Sequence, residues 1–212
     1  MSILRVARLG HPVLRQVAQH IPPEQVGDPE IQRLIDDMVE TVEACDGAGL
    51  AAPQVHHSVR LVVLQLTEDD EDWTIWINPQ VTPLTDEERI TFEGCLSVPD
   101  MRGAVSRPLA VDVQALDRHG EPVHLQLRGF PAIVAQHECD HLDGILYIDR
   151  TDPRTLAFLE EYRRHGPWPW AEDDDFDDEE DADLEEDADL DEDTDDGLGD
   201  DLSEELDLVE ED

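Results

Sequence analysis

Gly129-Phe130-Pro131-Ala132-Ile133-Val134-Ala135-Gln136-His137-Glu138-Cys139-Asp140-His141-Leu142-Asp143-Gly144 is the stretch on which the reading turns. Pro131 suits a first helical turn, Ile133 and Val134 supply apolar packing, and Asp143-Gly144 supplies a stop, so the run predicts one helix. Residues four apart on a helix differ by only about 40° around its axis, so His137 and His141 face the same way one turn apart. That spacing suits two imidazoles on one metal ion. Glu138 lies about 100° from His137 and about 60° from His141, so its carboxylate borders the same face and can act on a water without being a ligand. This is the physical logic of His-Glu-x-x-His in metallohydrolases. Cys139, about 200° from His137, points away and reads as a small core residue; Asp140 also falls off the shared face. A lone histidine would be read as core or surface. The whole pattern favours a metal.

Working outward, Ala110 to Leu116 and Pro122 to Leu127 flank Asp117-Arg118-His119-Gly120 and predict a β-hairpin. Val59 to Leu66 is apolar and β-branched, a buried strand. Thr74 to Asn78 predicts another, with the acids Glu68 to Asp72 as the connecting turn. Asp28-Pro29-Glu30 is a helix start, an N-cap acid followed by proline at the first helical position. Ile31, Leu34, Ile35, Met38, Val39 and Val42 then recur at helical spacing up to Asp46-Gly47. The small-residue run Gly47-Ala48-Gly49-Leu50-Ala51-Ala52-Pro53-Gln54 does not suit a helix. Arg154 to Arg164 adds a last short helix. The expected class is α+β, antiparallel or mixed sheets around a central metal-binding helix.

A catalytic metal needs three protein ligands and an open position for water. Cys95, in Glu93-Gly94-Cys95-Leu96-Ser97, offers the third: glycine permits close backbone approach and a thiolate binds first-row divalent metals. Alone, Cys95 would read as a buried structural cysteine.

Gly47 to Gln54, Glu93 to Ser97 and Gln136 to His141 together resemble the three signature motifs of peptide deformylases, in the same order and at similar spacing. The resemblance runs from about Ile3 to Arg150. It implies that Cys95, His137 and His141 bind one divalent ion, commonly Fe(2+) in that family, with Zn(2+), Ni(2+) or Co(2+) also accepted by such a donor set. Glu138 would be the general acid/base, and the Gln54 side-chain amide and Leu96 backbone N–H would donate to the developing oxyanion. Gly49 would present its backbone to the substrate and Ala48 would help line the methionine pocket. Glu93 and Arg102 are similar to the family's structural acid and its nearby arginine, Arg102 lying on the substrate side. The reaction implied is hydrolysis of the formyl group from the formyl-methionine of new polypeptides. Metal-activated hydroxide attacks the formyl carbon, and Glu138 passes the water proton to the leaving amine. The implied partners are N-formylmethionyl nascent peptides and the ribosome near its exit tunnel, in a bacterial cytoplasm.

Charge divides the chain. Of 55 acidic residues, 27 fall in the 42 residues from Ala171 to Asp212, where there is no Lys or Arg; all 14 basic residues are Arg and lie before them. Residues 1–170 read as the catalytic domain, and 171–212 as a low-complexity tail too charged and too poor in apolar residues to collapse, hence disordered. A formal charge of −41 argues against direct DNA or anionic-membrane binding. No run approaches a membrane span, and Met1 to Gly10 lacks the apolar core of a signal peptide. Three scattered cysteines make no disulfide framework and fit a reducing compartment. Trp168 and Trp170 either dock on the body or anchor a partner.

Val55-His56-His57 departs from the family's pattern and reads as an exposed turn rather than a second metal site. Cys45, ending the amphipathic helix, reads as buried packing. Two other functions compete with deformylation. A zinc endopeptidase shares His-Glu-x-x-His but commonly takes its third ligand downstream, and no such motif follows His141. A non-catalytic relative would be expected had Gln54, Cys95 or Glu138 been lost.

Overall fold

The computed structural model describes residues 2–67 and 73–166. The acidic stretch from Ala171, the paired tryptophans and the turn acids Glu68 to Asp72 lie outside the described residues.

Helix α1 spans Pro29–Ala44 and buries Leu34, Ile35, Met38, Thr41 and Val42. It starts where the proline predicts, although Asp28 makes no side-chain capping bond. The chain turns away just beyond it at Asp46, whose φ of 53° is left-handed. Strand β1 (Gly49–Ala51) then leads into a 3-10 turn over Ala52–Val55. Strand β2 (Leu61–Leu64) is shorter than the apolar run suggested. Strand β3 (Thr74–Pro83) is longer. It passes an irregularity between Ile77 and Gln80, where Asn78 (φ 55°) trades side-chain bonds with both backbone groups of Ile21.

Strand β4 spans Glu88–Cys95, β5 Val98–Pro108, β6 Ala110–Leu116 and β7 Pro122–Arg128. Helix α2 (Phe130–Leu142) follows, then a short helix α3 (Tyr147–Arg150), a two-residue strand β8 (Ala157–Phe158) and helix α4 (Leu159–His165). The order β1-β2-β3-β6-β7 makes a five-stranded sheet, and β4-β5-β8 a second sheet of three. Every pairing in both is antiparallel; a lone parallel bridge joins Gln19 to Val59.

The unbroken apolar run of β2 has a simple cause. Successive strand residues point to opposite faces, and both faces are covered. Leu61, Val63, Ile75 and Ile77 pack with Leu34, Ile35, Met38 and Val42 of α1. Val62, Leu64, Trp76, Val111 and Val113 pack with Ala132, Val134, Ala135 and Leu142 of α2. Burying each of the larger side chains stabilises the fold by about 1.5–3 kcal/mol. Helix α2 is thus clamped by its apolar residues to the five-stranded sheet, which leaves its histidine face toward the smaller one.

The second sheet escaped the sequence reading because its polarity is inverted. In β4 the buried positions are Thr91 and Glu93, while Ile90 is 41% exposed. In β5, Arg107 is buried at 2% exposure. Alternation of apolar and polar residues would place these side chains the wrong way round.

The candidate metal centre

The helix α2 carries His137, Glu138 and His141, all buried. The imidazole centroids of His137 and His141 are 5.1 Å apart with planes at 81°. Cys95 arrives from the end of β4, its Sγ 3.3 Å from Nε2 of His141. One ligand atom from each of Cys95, His137 and His141 lies within 4.8 Å of the others; among the described residues this is the single such grouping of His, Cys and acidic side chains. Glu138 Oε2 is buried without a hydrogen-bond partner. A soft thiolate, two imidazoles and an orphaned carboxylate beside them fit a first-row divalent ion with a water in its open position.

Two glycines make room. A Cβ on Gly49 would come within 2.7 Å of Glu138 Oε1, so the carboxylate lies directly over the Gly49 backbone. A Cβ on Gly94 would run into the guanidinium of Arg102. Gln54 is 1% exposed, and its amide is held the useful way round. Oε1 accepts from the Ala51 N–H at 2.8 Å, which turns Nε2 toward Cys95 Sγ (3.5 Å) and Ser97 Oγ (3.3 Å). Leu96 follows Cys95 and is half-buried, Arg102 is half-buried and donates to the Met101 carbonyl, and Ala48 is exposed.

The arginine paired with Glu93 is Arg107, while the Arg102 guanidinium lies against the neighbouring Gly94. Glu93 Oε2 accepts from Nη2 of Arg107 at 3.0 Å, and Nη1 of Arg107 reaches Asp140 at 2.9 Å. Asp140 is gripped again by Arg150 at 2.6 Å. Glu93 also accepts from Nε of Arg107 through Oε1, and its Oε2 meets His137 Nδ1 at 2.8 Å. One buried chain of charges therefore joins a histidine of the centre to the back of its own helix. Sequence reasoning missed Arg107, Arg150 and the part played by Asp140. It also missed Ser97 and Tyr147, whose ring stacks on His137 at 6.2 Å between centroids.

The electrostatics follow from burial and these partners. Burial pushes the Glu138 carboxyl up, against the pull of the two imidazoles. Burial also raises Glu93, but the bonds from His137 and Arg107 outweigh it and hold that carboxyl down at about 2. At Cys95 burial is likewise overridden, here by His141 and His137, which favour the thiolate. At Cys139 burial pushes the thiol up against the pull of Arg60.

The remaining sequence candidates lie apart from this chemistry. His56 and His57 are exposed in a turn, with His56 at φ 68°. The His56 ring meets that of His11 edge-on at 4.6 Å. Cys45, expected as packing, is exposed, because the last buried residue of α1 is Val42.

An antiparallel α+β frame that converges a cysteine, two histidines and a buried glutamate defines a mononuclear metallohydrolase centre. The family model described as polypeptide deformylase matches residues 3–157. A peptide deformylase of Azotobacter vinelandii is 43% identical over 171 residues, covering 78% of this chain and all of that one. One of Dehalococcoides mccartyi is 45% identical over 152 residues, 72% of this chain and 88% of the relative. Among solved structures, the peptide deformylase of Thermotoga maritima superposes with a TM-score of 0.67 at 36% identity, over 72% of this chain and all of that one. An actinonin-bound class I type b enzyme of Acinetobacter baumannii gives 0.66 at 35%, with the same coverage. The chain belongs to the polypeptide deformylase family.

Proposed function

We propose that the centre hydrolyses the N-formyl group of formyl-methionyl peptides. The observation that carries the reading is the buried, unpartnered Glu138 Oε2 beside Cys95, His137 and His141, with the Gln54 amide turned to the same place. Cys95 Sγ and the two imidazoles would hold one divalent ion. Fe(2+) comes first from the family, while Zn(2+), Ni(2+) and Co(2+) suit the same donors. Such an ion lowers the pKa of a water and draws charge from the formyl oxygen.

The side chains supply the rest. Glu138, its affinity for protons raised by burial, takes a proton from the attacking water and passes it to the amine nitrogen as the C–N bond breaks. Formate and a free N-terminal methionine leave. Gln54 Nε2 and the Leu96 N–H donate to the oxygen as it gains charge. Glu93 fixes the His137 tautomer by accepting at Nδ1, which leaves Nε2 for the ion. Gly49 offers backbone to the peptide where a side chain would strike Glu138. Ala48 and Arg102 border the substrate. A formyl carbon bears only hydrogen, so a narrow site admits it and rejects bulkier acyl groups.

Among the described residues no helix is long and apolar enough to cross a membrane. A cytoplasmic place, access to nascent chains near the ribosomal exit tunnel, and a division into a catalytic body 1–170 and an acidic segment 171–212 complete the proposal.

Formate release from a formyl-Met peptide by anaerobically prepared, metal-loaded chain tests it. Activity should vanish in Glu138→Ala and should be far greater on N-formyl than on N-acetyl peptides. Activity surviving that substitution, or equal turnover of the two acyl groups, would overturn it.

A further inference from the structure

The N-terminal segment is tied to the centre at two points. The Ala7 N–H donates to the Gln54 carbonyl at 2.7 Å, and the Leu9 N–H to the Ser97 carbonyl at 2.8 Å. Ala7 is buried between these anchors, while Arg5 and Arg8 are exposed. Here lies a cavity of about 420 Å³ lined by Arg5, Val6, Arg8, Cys45 and Leu96. Leu96 directly follows Cys95, and its side chain borders Gly47, at the start of the run that reaches Gly49. The cavity therefore adjoins the reacting centre along the backbone run that meets the peptide.

Its charge is out of character for the molecule. The first 170 residues hold twice as many acids as arginines. Accordingly Arg60, Arg107, Arg118 and Arg150 are each paired with a carboxylate. Among the described residues the side chains of Arg5 and Arg8, like those of Arg33, Arg102 and Arg163, have no such partner; Arg5 and Arg8 differ in lying together at a cavity that no acid lines. Burial, His11 and the charge of Arg5 together lower the proton affinity of His56 nearby. Two guanidiniums without anions among the described residues, at a cavity beside the metal centre, leave room for an anion brought from outside.

Resting on the deformylase reading, we propose that this cavity is a specificity subsite. It takes a carboxylate of the substrate chain beyond the first residue, held by Arg5 and Arg8, with Val6 and Leu96 covering the attached methylenes. Elsewhere the surplus acids repel such a peptide; here the sign is reversed.

The test compares metal-loaded wild type with Arg5→Gln/Arg8→Gln on amidated formyl-Met tetrapeptides carrying Glu or Gln at the second, third or fourth position. Wild type should favour Glu over Gln at one position by about three- to tenfold in kcat/KM, expressed in KM and fading toward about 0.5 M salt. That ratio should collapse to about one in the double variant and persist in Arg5→Lys/Arg8→Lys. A neutral tetrapeptide as free acid against amide tells a chain terminus from a side chain as the source; either preference, if lost in the double Gln variant, supports the subsite. Equal rates for Glu and Gln at every position with no free-acid preference, or a preference that survives the double Gln variant, would overturn it. Absence of formate from every peptide, the neutral amide included, would instead sink the deformylase reading beneath it.

Discussion

Glu93 Oε2 sits 2.8 Å from Nδ1 of His137, so a carboxylate on one sheet decides which nitrogen a helix on another layer can offer to chemistry. Replacing that carboxylate with an amide tests how much the orientation is worth. Glu93→Gln keeps the shape and loses the charge, and metal affinity should fall about 10- to 100-fold. Competition against a calibrated chelator reads this directly. Unchanged affinity would mean that packing alone orients the ring.

Arg107 neutralises both Glu93 and Asp140 out of contact with water. Arg107→Met leaves two buried carboxylates with only Arg150 and His137 to share, and should destabilise the fold by about 3–5 kcal/mol in urea unfolding. Arg154→Met, which breaks a solvent-exposed pair with Asp152, should leave the midpoint where it was.

Gly49→Ala should spare the fold and injure the chemistry. The added methyl would lie 2.7 Å from Glu138 Oε1, so the carboxylate must shift from its place over the backbone. A displacement of that size costs on the order of a hundredfold in kcat. An unaltered kcat would show that Glu138 has freedom which its burial does not suggest.

The three cysteines should separate under a maleimide. Cys45 is exposed and should label at once; Cys139 is buried and should label only on unfolding. Cys95 should be protected in metal-loaded chain and become available after chelation, which also removes whatever stability the bound ion confers. Mass spectrometry of the labelled peptides gives the order.

Asp149 controls part of the acid limb of stability. Burial would raise its carboxyl, but Arg15 and the Leu146 N–H together hold it below the ordinary value of 3.8. A carboxyl lowered on folding gives its full stabilisation above the unfolded pKa and loses it as pH falls through the lower folded one. Asp149→Asn should therefore flatten the loss of stability below about pH 4 while changing little of the profile near neutrality. The pair is partly open to solvent, so high salt should shrink the difference.

The unbroken apolar run Leu61 to Leu64 already implied a buried strand, and the spacing of His137, Glu138 and His141 already implied one chemical face. Both follow from the period of the local structure, so neighbours in sequence suffice to read them. The helix geometry also set Cys139 apart from the two histidines, and the grouping of donor atoms, which takes Cys95 and leaves out the buried Cys139, agrees. The sheet of β4, β5 and β8 was illegible because its inward side chains include Thr91, Glu93 and Arg107, the last two tolerable inside because they pair with each other.

The same distinction separates what the chain determined by itself from what folding decided. Local periodicity and motif spacing determined the helix, the metal donors and the family. Tertiary structure chose Arg107 over Arg102 as the partner of Glu93, turned the Gln54 amide toward Cys95, and brought Arg5 and Arg8 to one cavity beside the centre. These depend on groups 14, 41 and some 90 residues apart in sequence. A buried charge takes whichever counter-charge packing delivers, and no local period records that choice.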